Sequence, residues 1–351
     1  MFANKIINWY LENGRKLPWR ETDNPYFIWL SEIILQQTRI EQGREYYSHF
    51  IKRYPTVVNL ADASEEQVLK SWQGLGYYSR ARNLHATAQH IAYNLDGKFP
   101  SSYKEILALK GVGKYTAAAI ASFAYKLPYP VIDGNVYRFI ARLYGIHTPI
   151  RTPAAYKEFE NLLNKLIDKE RPDLFNQAIM DFGSLICKPT GCDCTQCPFR
   201  LECIAQKEGK VSLLPVMPNP PKVTERYFYY FDIRWPLPAE TILVHRRPSG
   251  NIWQGLYELP LVETETPIPH RILADKARQT LAEWFTDEPL SIEAGQSFTH
   301  HLTHRTIQAQ FLSVKYLSKP SKIPQYFSPV SPEVLKSLPI SRLIDRYLSN
   351  Q

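Results

Sequence analysis

Residues Leu109–Val136 read LKGVGKYTAAAIASFAYKLPYPVIDGNV, and the rest of the chain is organised around them. Leu109-Lys110-Gly111-Val112-Gly113 reads as a tight turn, because its two glycines permit backbone angles closed to other residues. The run Thr116–Tyr125 is alanine-rich and helical. A glycine-lined turn feeding a helix N-terminus aims several unpaired backbone N–H groups in one direction, a phosphate-binding surface made without side chains. The same pattern also suits a plain helix C-cap and turn. It is not a nucleotide-binding loop, since no Gly-Lys-Ser/Thr follows at the required spacing. Leu127-Pro128-Tyr129-Pro130 stops the helix, and Asp133-Gly134-Asn135 opens the next.

Outward from this stretch, Lys5 to Ala205 reads as helix after helix. Asn24-Pro25 opens an apolar helix over Phe27–Thr38. Helices are expected over 42–53, 64–71, 79–93 and 101–109, two of them opening in capping-box fashion, and over 135–144, 153–167 and 174–186. Residues 209–225, GKVSLLPVMPNPPKVTE, are proline-rich and aperiodic, so an extended connector is expected. Strand patterns follow at Tyr227–Phe231, Thr241–Val244 and Ile307–Tyr316, with one packed helix over Lys276–Phe285. The expected domains are therefore 1–208, all-α, and 226–351, α+β.

The chain of 351 residues is long enough for two cores. With 44% hydrophobic and 22% charged residues it is globular rather than disordered. It has no apolar run of membrane-spanning length and no signal-peptide pattern in MFANKIINWY, so a cytoplasmic protein with no membrane partner is expected. The net charge of +8 is uneven: residues 1–210 hold 27 Lys/Arg against 21 Asp/Glu, and residues 211–351 hold 15 against 13. That excess suits a polyanion partner without proving one.

All five cysteines lie between Cys187 and Cys203. Four give Cys187-x6-Cys194-x2-Cys197-x5-Cys203, with Cys192 extra. Disulfides are not expected in a cytosolic chain, and crowded thiols there read as metal ligands. The ligand chemistry alone leaves iron–sulfur and zinc open. Glu32 has Ile28, Trp29 and Leu35 as helical neighbours. A carboxyl on such a face loses water, its pKa rises, and it can hand a proton to a leaving group. A surface glutamate on a differently phased helix is the other reading.

Several motifs in order carry a resemblance. Leu17-Pro18-Trp19-Arg20, the helix Ser31-Glu32-Ile33-Ile34-Leu35-Gln36-Gln37-Thr38, the segment Trp72–Asn83 (WQGLGYYSRARN), the glycine hairpin, Asp133-Gly134-Asn135 and the cysteine loop together resemble the MutY-type adenine DNA glycosylases. These belong to the helix-hairpin-helix, or endonuclease III, superfamily, and the match runs almost continuously over 5–205. The resemblance implies an all-α glycosylase domain and a [4Fe–4S] cluster held by Cys187, Cys194, Cys197 and Cys203, with Cys192 a spare thiol. It implies a monomeric bacterial enzyme at the nucleoid that flips adenine out of double-stranded DNA, opposite 8-oxoguanine or guanine, and hydrolyses its glycosidic bond.

On that resemblance Glu32 is the general acid that protonates adenine and handles the water. Asp133 faces the sugar cation as stabiliser or transient nucleophile, with Tyr115 and Asn135 hydrogen-bonding these carboxylates. Gly111, Val112, Gly113 and Lys114 grip the DNA, with Gln36, Gln37, Thr38, Tyr77, Arg80 and Arg82; Gln37 and Tyr77 are the wedge. Trp19 and Arg20 line the adenine pocket. Tyr115 stands where the strand-cleaving relatives have a Schiff-base lysine, and a phenol forms no imine. Residues 226–351 resemble the family's Nudix-like domain, with Arg247–Pro260 (RPSGNIWQGLYELP) as landmark. Ala274–Phe285 lacks the acidic magnesium-binding box, so this domain is expected to bind, not hydrolyse. Where the family has Phe-Ser-His against 8-oxoguanine, this chain offers Phe298-Thr299-His300 or Leu302-Thr303-His304, the following strand favouring the second. The rivals are an endonuclease III-like glycosylase/lyase for oxidised pyrimidines, a catalytically idle DNA-scanning module, and a Nudix hydrolase.

Overall fold

The computed structural model describes residues 2–220, 222–236 and 239–350. Residue 1 of the first expected domain, residue 221 of the expected connector, and residues 237, 238 and 351 of the second expected domain lie outside the described residues. The helices of the first two-thirds are α1 (Phe2–Asn13), α2 (Pro25–Ile34), α3 (Ile40–Arg53), α4 (Val57–Asp62), α5 (Glu65–Trp72), α6 (Ser79–Asn94), α7 (Tyr103–Ala108), α8 (Lys114–Tyr125), α9 (Gly134–Tyr144), α10 (Pro153–Leu166), α11 (Pro172–Leu185) and α12 (Ile204–Lys207). A short 3₁₀ turn covers Pro18–Arg20. The expected capping boxes form at Ser64 with Gln67 and at Ser102 with Glu105.

Two compact units emerge, Met1–Asp62 with Asn83–Pro220, and Ala63–Arg82 with Pro221–Gln351. They differ from a contiguous division, because residues 63–82 fold with the C-terminal sheet. Lys70 Nζ donates to the carbonyls of Lys336 and Leu338 at 2.6 and 2.9 Å, and the Tyr78 hydroxyl donates to the Ile340 carbonyl.

In the helical unit, α2 is buried on nearly every side: Ile28, Trp29, Leu30, Ile33 and Ile34 are each at most 4% exposed, with Ser31 and Glu32 buried among them. Burying each such side chain contributes about 1.5–3 kcal/mol, which fixes α2 against α8. The helix stops at Ile34, four residues before the expected Thr38. Gln37 adopts φ +58, and Leu35–Gln37 form a turn instead of a last helical turn. A second core, of Phe139, Phe159, Phe175, Phe182 and Phe199, joins α9, α10 and α11. Within it Gly183 of α11 lets α9 approach, since a Cβ there would stand 2.6 Å from the Asn135 carbonyl oxygen. That contact seats Asn135 and, beside it, Asp133.

In the C-terminal unit the strands are β1 (Thr224–Trp235), β2 (Thr241–Arg246), β3 (Tyr257–Glu258), β4 (Leu261–Thr264), β5 (Ser291–His301), β6 (Arg305–Lys315) and β7 (Phe327–Val330). The order is β3-β2-β1-β6-β5, with β4 on β1 and β7 on β2. β1 and β6 run parallel, Tyr230 opposite Phe311, and the other pairs are antiparallel. Alternation along β1 feeds two cores: Phe228 and Tyr230 face α14 (Pro332–Ser337) and α15 (Arg342–Ser349), while Tyr229, Phe231 and Ile233 face α13 (His270–Trp284). This helix–sheet–helix layering is the expected α+β class. The connector is shorter than 209–225, for β1 begins at Thr224, Leu214 is buried, and Ile150 N–H donates to the Val216 carbonyl. No helix of the described residues is long and apolar enough to cross a membrane.

Candidate active site

The hairpin between α7 and α8 is built on two glycines with different duties. Gly111 has φ +79, and a Cβ on it would lie 2.7 Å from Asn83 Cβ. Gly113 caps α8 without a side-chain hydrogen bond, and the first intrahelical bond there runs from Ala117 N–H to the Gly113 carbonyl. The amides of Lys114, Tyr115 and Thr116 thus have no intrahelical acceptor, and the helix dipole at that end favours negative charge. Val112 is buried beneath the turn, and Lys114 Nζ sits 4.3 Å above the Tyr156 ring.

One cavity of about 300 Å³ gathers Glu32, Tyr115, Asp133, Asn135, Trp19, Arg20 and Thr38. Glu32, in the last turn of α2, is 6% exposed. Burial pushes its pKa to about 7; the Tyr115 hydroxyl and the Arg20 charge oppose that rise and Asp133 adds to it. The acid is therefore half protonated near neutrality. Burial also raises the Asp133 pKa, against the Val136 amide, Asn135 and Arg138, which favour its anion. Asp133 is the N-cap of α9: Oδ1 accepts Val136 N–H at 2.7 Å and Oδ2 accepts Asn135 Nδ2 at 2.8 Å. Asn135 Oδ1 in turn accepts from Arg138. Burial thus raises both carboxyls of the cavity, and only Asp133 has an amide N–H, a side-chain amide and an arginine together favouring its anion.

Trp19 is buried edge-on against Tyr47. Arg20 gives both terminal nitrogens to Asp181 of α11, at 2.8 and 2.9 Å. Asp181 is fully buried and also accepts from the Arg15 amide and guanidinium. Burial works against its ionisation, but the hydrogen bonds of Arg20 and Arg15 prevail and hold its pKa at about 2. Nothing in the sequence singled out Asp181 or Arg15, since each reads as an ordinary helix or loop residue.

Gln36 reaches Thr116 of α8 at 3.4 Å and braces the helix pair. Gln37 and Tyr77 are exposed at left-handed backbone angles, φ +58 and +47. Side chains held there at a cost of order 1–3 kcal/mol gather at functional sites. Arg80 and Arg82, expected as phosphate contacts, are engaged within the C-terminal unit. Arg80 donates to the Leu75 and Gly76 carbonyls and lies over the Trp72 ring, its pKa lowered by burial to about 10. Arg82 donates to the Gln254 carbonyl at 2.8 Å. Leu302-Thr303-His304 forms the β5–β6 turn, whereas Phe298-Thr299-His300 lies within β5. Phe298 packs on Phe311 and Thr299 bonds Gln308, so the first alternative is part of the sheet.

The cysteine loop wraps a cavity lined by Cys187, Cys192, Cys194, Cys197 and Cys203, with Phe139 and Phe199 as apolar walls. All five thiols are free. Arg142, 3% exposed, donates to Cys187 Sγ at 3.4 Å and to the Lys188 carbonyl at 2.7 Å, and Arg138 donates to the Cys187 carbonyl. Among the described residues no three His, Cys, Asp or Glu side chains are gathered about one point. Soft cysteine sulfurs around a cavity, with Arg138 and the buried Arg142 beside them, fit the ligand chemistry of an iron–sulfur cluster.

Fold and cavity together define a helix-hairpin-helix glycosylase scaffold. The HhH-GPD superfamily base excision DNA repair protein family matches residues 30–169, and the NUDIX domain family matches 237–350. An adenine DNA glycosylase of Buchnera aphidicola subsp. Baizongia pistaciae is 38% identical over 74% of this chain and 73% of its own. That of Buchnera aphidicola subsp. Acyrthosiphon pisum is 32% identical over 87% and 83%. Among solved structures, a thermostable thymine-DNA glycosylase aligns with TM-score 0.56 and 28% identity over 59% of this chain and 95% of its own. A non-covalent endonuclease III–DNA complex, at 22% identity and TM-score 0.52, covers 59% of this chain and 94% of its own and shares the fold. The chain belongs to the MutY-type adenine DNA glycosylases, with an HhH-GPD domain followed by a Nudix-like one.

Proposed function

We propose that the protein removes adenine standing opposite 8-oxoguanine or guanine in double-stranded DNA, as a base-excision glycosylase with little or no strand cleavage. The observation that carries this reading is the buried Glu32 carboxyl, with a pKa of about 7, in one cavity with Asp133. Hairpin amides at the start of α8 hold a phosphate, Gln37 and Tyr77 fill the gap, and the flipped adenine enters the pocket that Trp19 and Arg20 line. Protonated Glu32 gives its proton to the base, the glycosidic bond breaks, and an oxocarbenium-like sugar forms. The Asp133 carboxylate faces that sugar, as electrostatic stabiliser or transient nucleophile, and ionised Glu32 then takes a proton from the attacking water. Tyr115, in place of a Schiff-base lysine, supports hydrolysis without lyase chemistry.

Cys187, Cys194, Cys197 and Cys203 would hold a [4Fe–4S] cluster, with Cys192 outside the ligand set. When bound, it supplies a covalent brace for the loop and a redox-responsive iron centre. Thr303 and its turn neighbours Leu302 and His304 read the base opposite adenine, and residues 226–351 serve as the recognition domain. On this reading the enzyme works as a monomer in the bacterial cytoplasm, on nucleoid DNA. Duplexes carrying adenine opposite 8-oxoguanine, guanine or thymine test it: alkali-dependent breaks in the first two alone support it, and direct nicking with a borohydride-trapped adduct favours the lyase rival.

A further inference from the structure

Buried Asp181 has a task beyond packing. Three arginines, Arg15, Arg20 and Arg39, border the cavity that holds Glu32, and Arg20 is the one whose charge acts on that carboxyl. A carboxyl meant to carry a proton near neutrality cannot stay beside an unengaged guanidinium, because the pair would lock it as an anion. Here both terminal nitrogens of Arg20 go to Asp181, and Nη1 also donates to the Arg15 carbonyl at 3.2 Å. Among the described residues Glu32 makes no ion pair, although Arg20 is near enough to oppose the rise of its pKa. We propose that Asp181 is a positioning residue that occupies the Arg20 guanidinium, keeping it in the base pocket while denying it to Glu32.

The charged and titratable groups facing Glu32 come from every packed element: Arg20 from the 3₁₀ turn, Tyr115 from α8, Asp133 at the cap of α9, and Arg15 and Arg39 from the loops that line the cavity. Only Arg15 and Arg20 are held by the α11 carboxylate. Removing that carboxylate leaves two acidic groups in the cavity, Glu32 and Asp133, and Asp133 is already bonded by the Val136 amide and Asn135.

The inference rests on the reading of Glu32 as the acid, and its test is single-turnover adenine release across pH from the full-length protein. Release by the wild type falls as pH rises through the Glu32 pKa. In Asp181→Asn, and in Asp181→Ser should the first not fold, that fall is expected to move down by about one to three pH units. Asp181→Glu keeps the charge and leaves the fall where it was. Pairing Asp181→Asn with Arg20→Gln removes the competing cation and returns the fall toward its original position, whatever the rate. Where release is too slow to profile, ¹³C-glutamate NMR, with the Glu32→Gln spectrum subtracted, reads the same titration. A folded Asp181→Asn or Asp181→Ser protein that is merely slower, its Glu32 titration unmoved, overturns the proposal. A wild type that releases no adenine overturns the proposed function instead.

Discussion

The Tyr77 hydroxyl lies 2.6 Å from the Thr303 hydroxyl, joining two residues 226 positions apart in the chain. Tyr77 sits in the 63–82 segment that folds with the C-terminal sheet, and Thr303 is at the β5–β6 turn. An exposed aromatic at a left-handed angle is thereby tied to the turn proposed to read the opposite base.

Thr303→Val removes the hydroxyl that links the two. One net hydrogen bond is worth about 0.5–1.5 kcal/mol, so the preference for 8-oxoguanine over guanine should fall about 2- to 10-fold. Competition between the two duplexes in one reaction measures it, and an unchanged ratio removes this turn from lesion reading.

Gly111→Ala places a Cβ 2.7 Å from Asn83 Cβ at φ +79. The expected cost is about 1–3 kcal/mol of stability, read by urea unfolding. DNA affinity should drop with it, since the amide cradle is displaced. An unaltered salt dependence of binding together with unaltered affinity would count against the hairpin as the phosphate grip.

On the proposed ligand set the wild type purifies with iron and visible absorbance, Cys187→Ser should lose both, and Cys192→Ser should keep both. Iron analysis with absorption spectra decides it; equal iron in the two variants contradicts the ligand assignment.

The Glu32 pKa also sets a stability profile. Folding raises it from 4.5 to about 7, so the native state binds the extra proton between those values and stability falls as pH rises through that window. Above it, the buried anion costs on the order of 3 kcal/mol. Glu32→Gln should therefore melt higher than the wild type at pH 8 and about equally at pH 4. Equal melting at both values would place the carboxyl in water.

Much of this was legible in the sequence, and the gaps have physical causes. The helices with strong apolar periodicity, the α7–α8 hairpin and the cap at Asp133 all fall where residue chemistry puts them. The helix α2 ends before its expected Thr38 because Gln37, which nothing marks as a turn residue, takes a left-handed angle that no further helical turn accommodates. Strand β5 escaped because both of its faces are largely exposed, leaving no alternation to read. The helices α14 and α15 are short, six and eight residues, and show their apolar faces only against the sheet. Asp181 was invisible for a different reason: a lone aspartate in a helix becomes meaningful only when two arginines from more than 150 positions away converge on it.

The most direct test is adenine release under single-turnover conditions, from a duplex with adenine opposite 8-oxoguanine, by the wild type and by Glu32→Gln across pH. A wild-type rate that declines above about pH 7, with Glu32→Gln bound to the duplex yet releasing no base, is the expected result. Release by Glu32→Gln at the wild-type rate would contradict the assignment of the proton to this carboxyl.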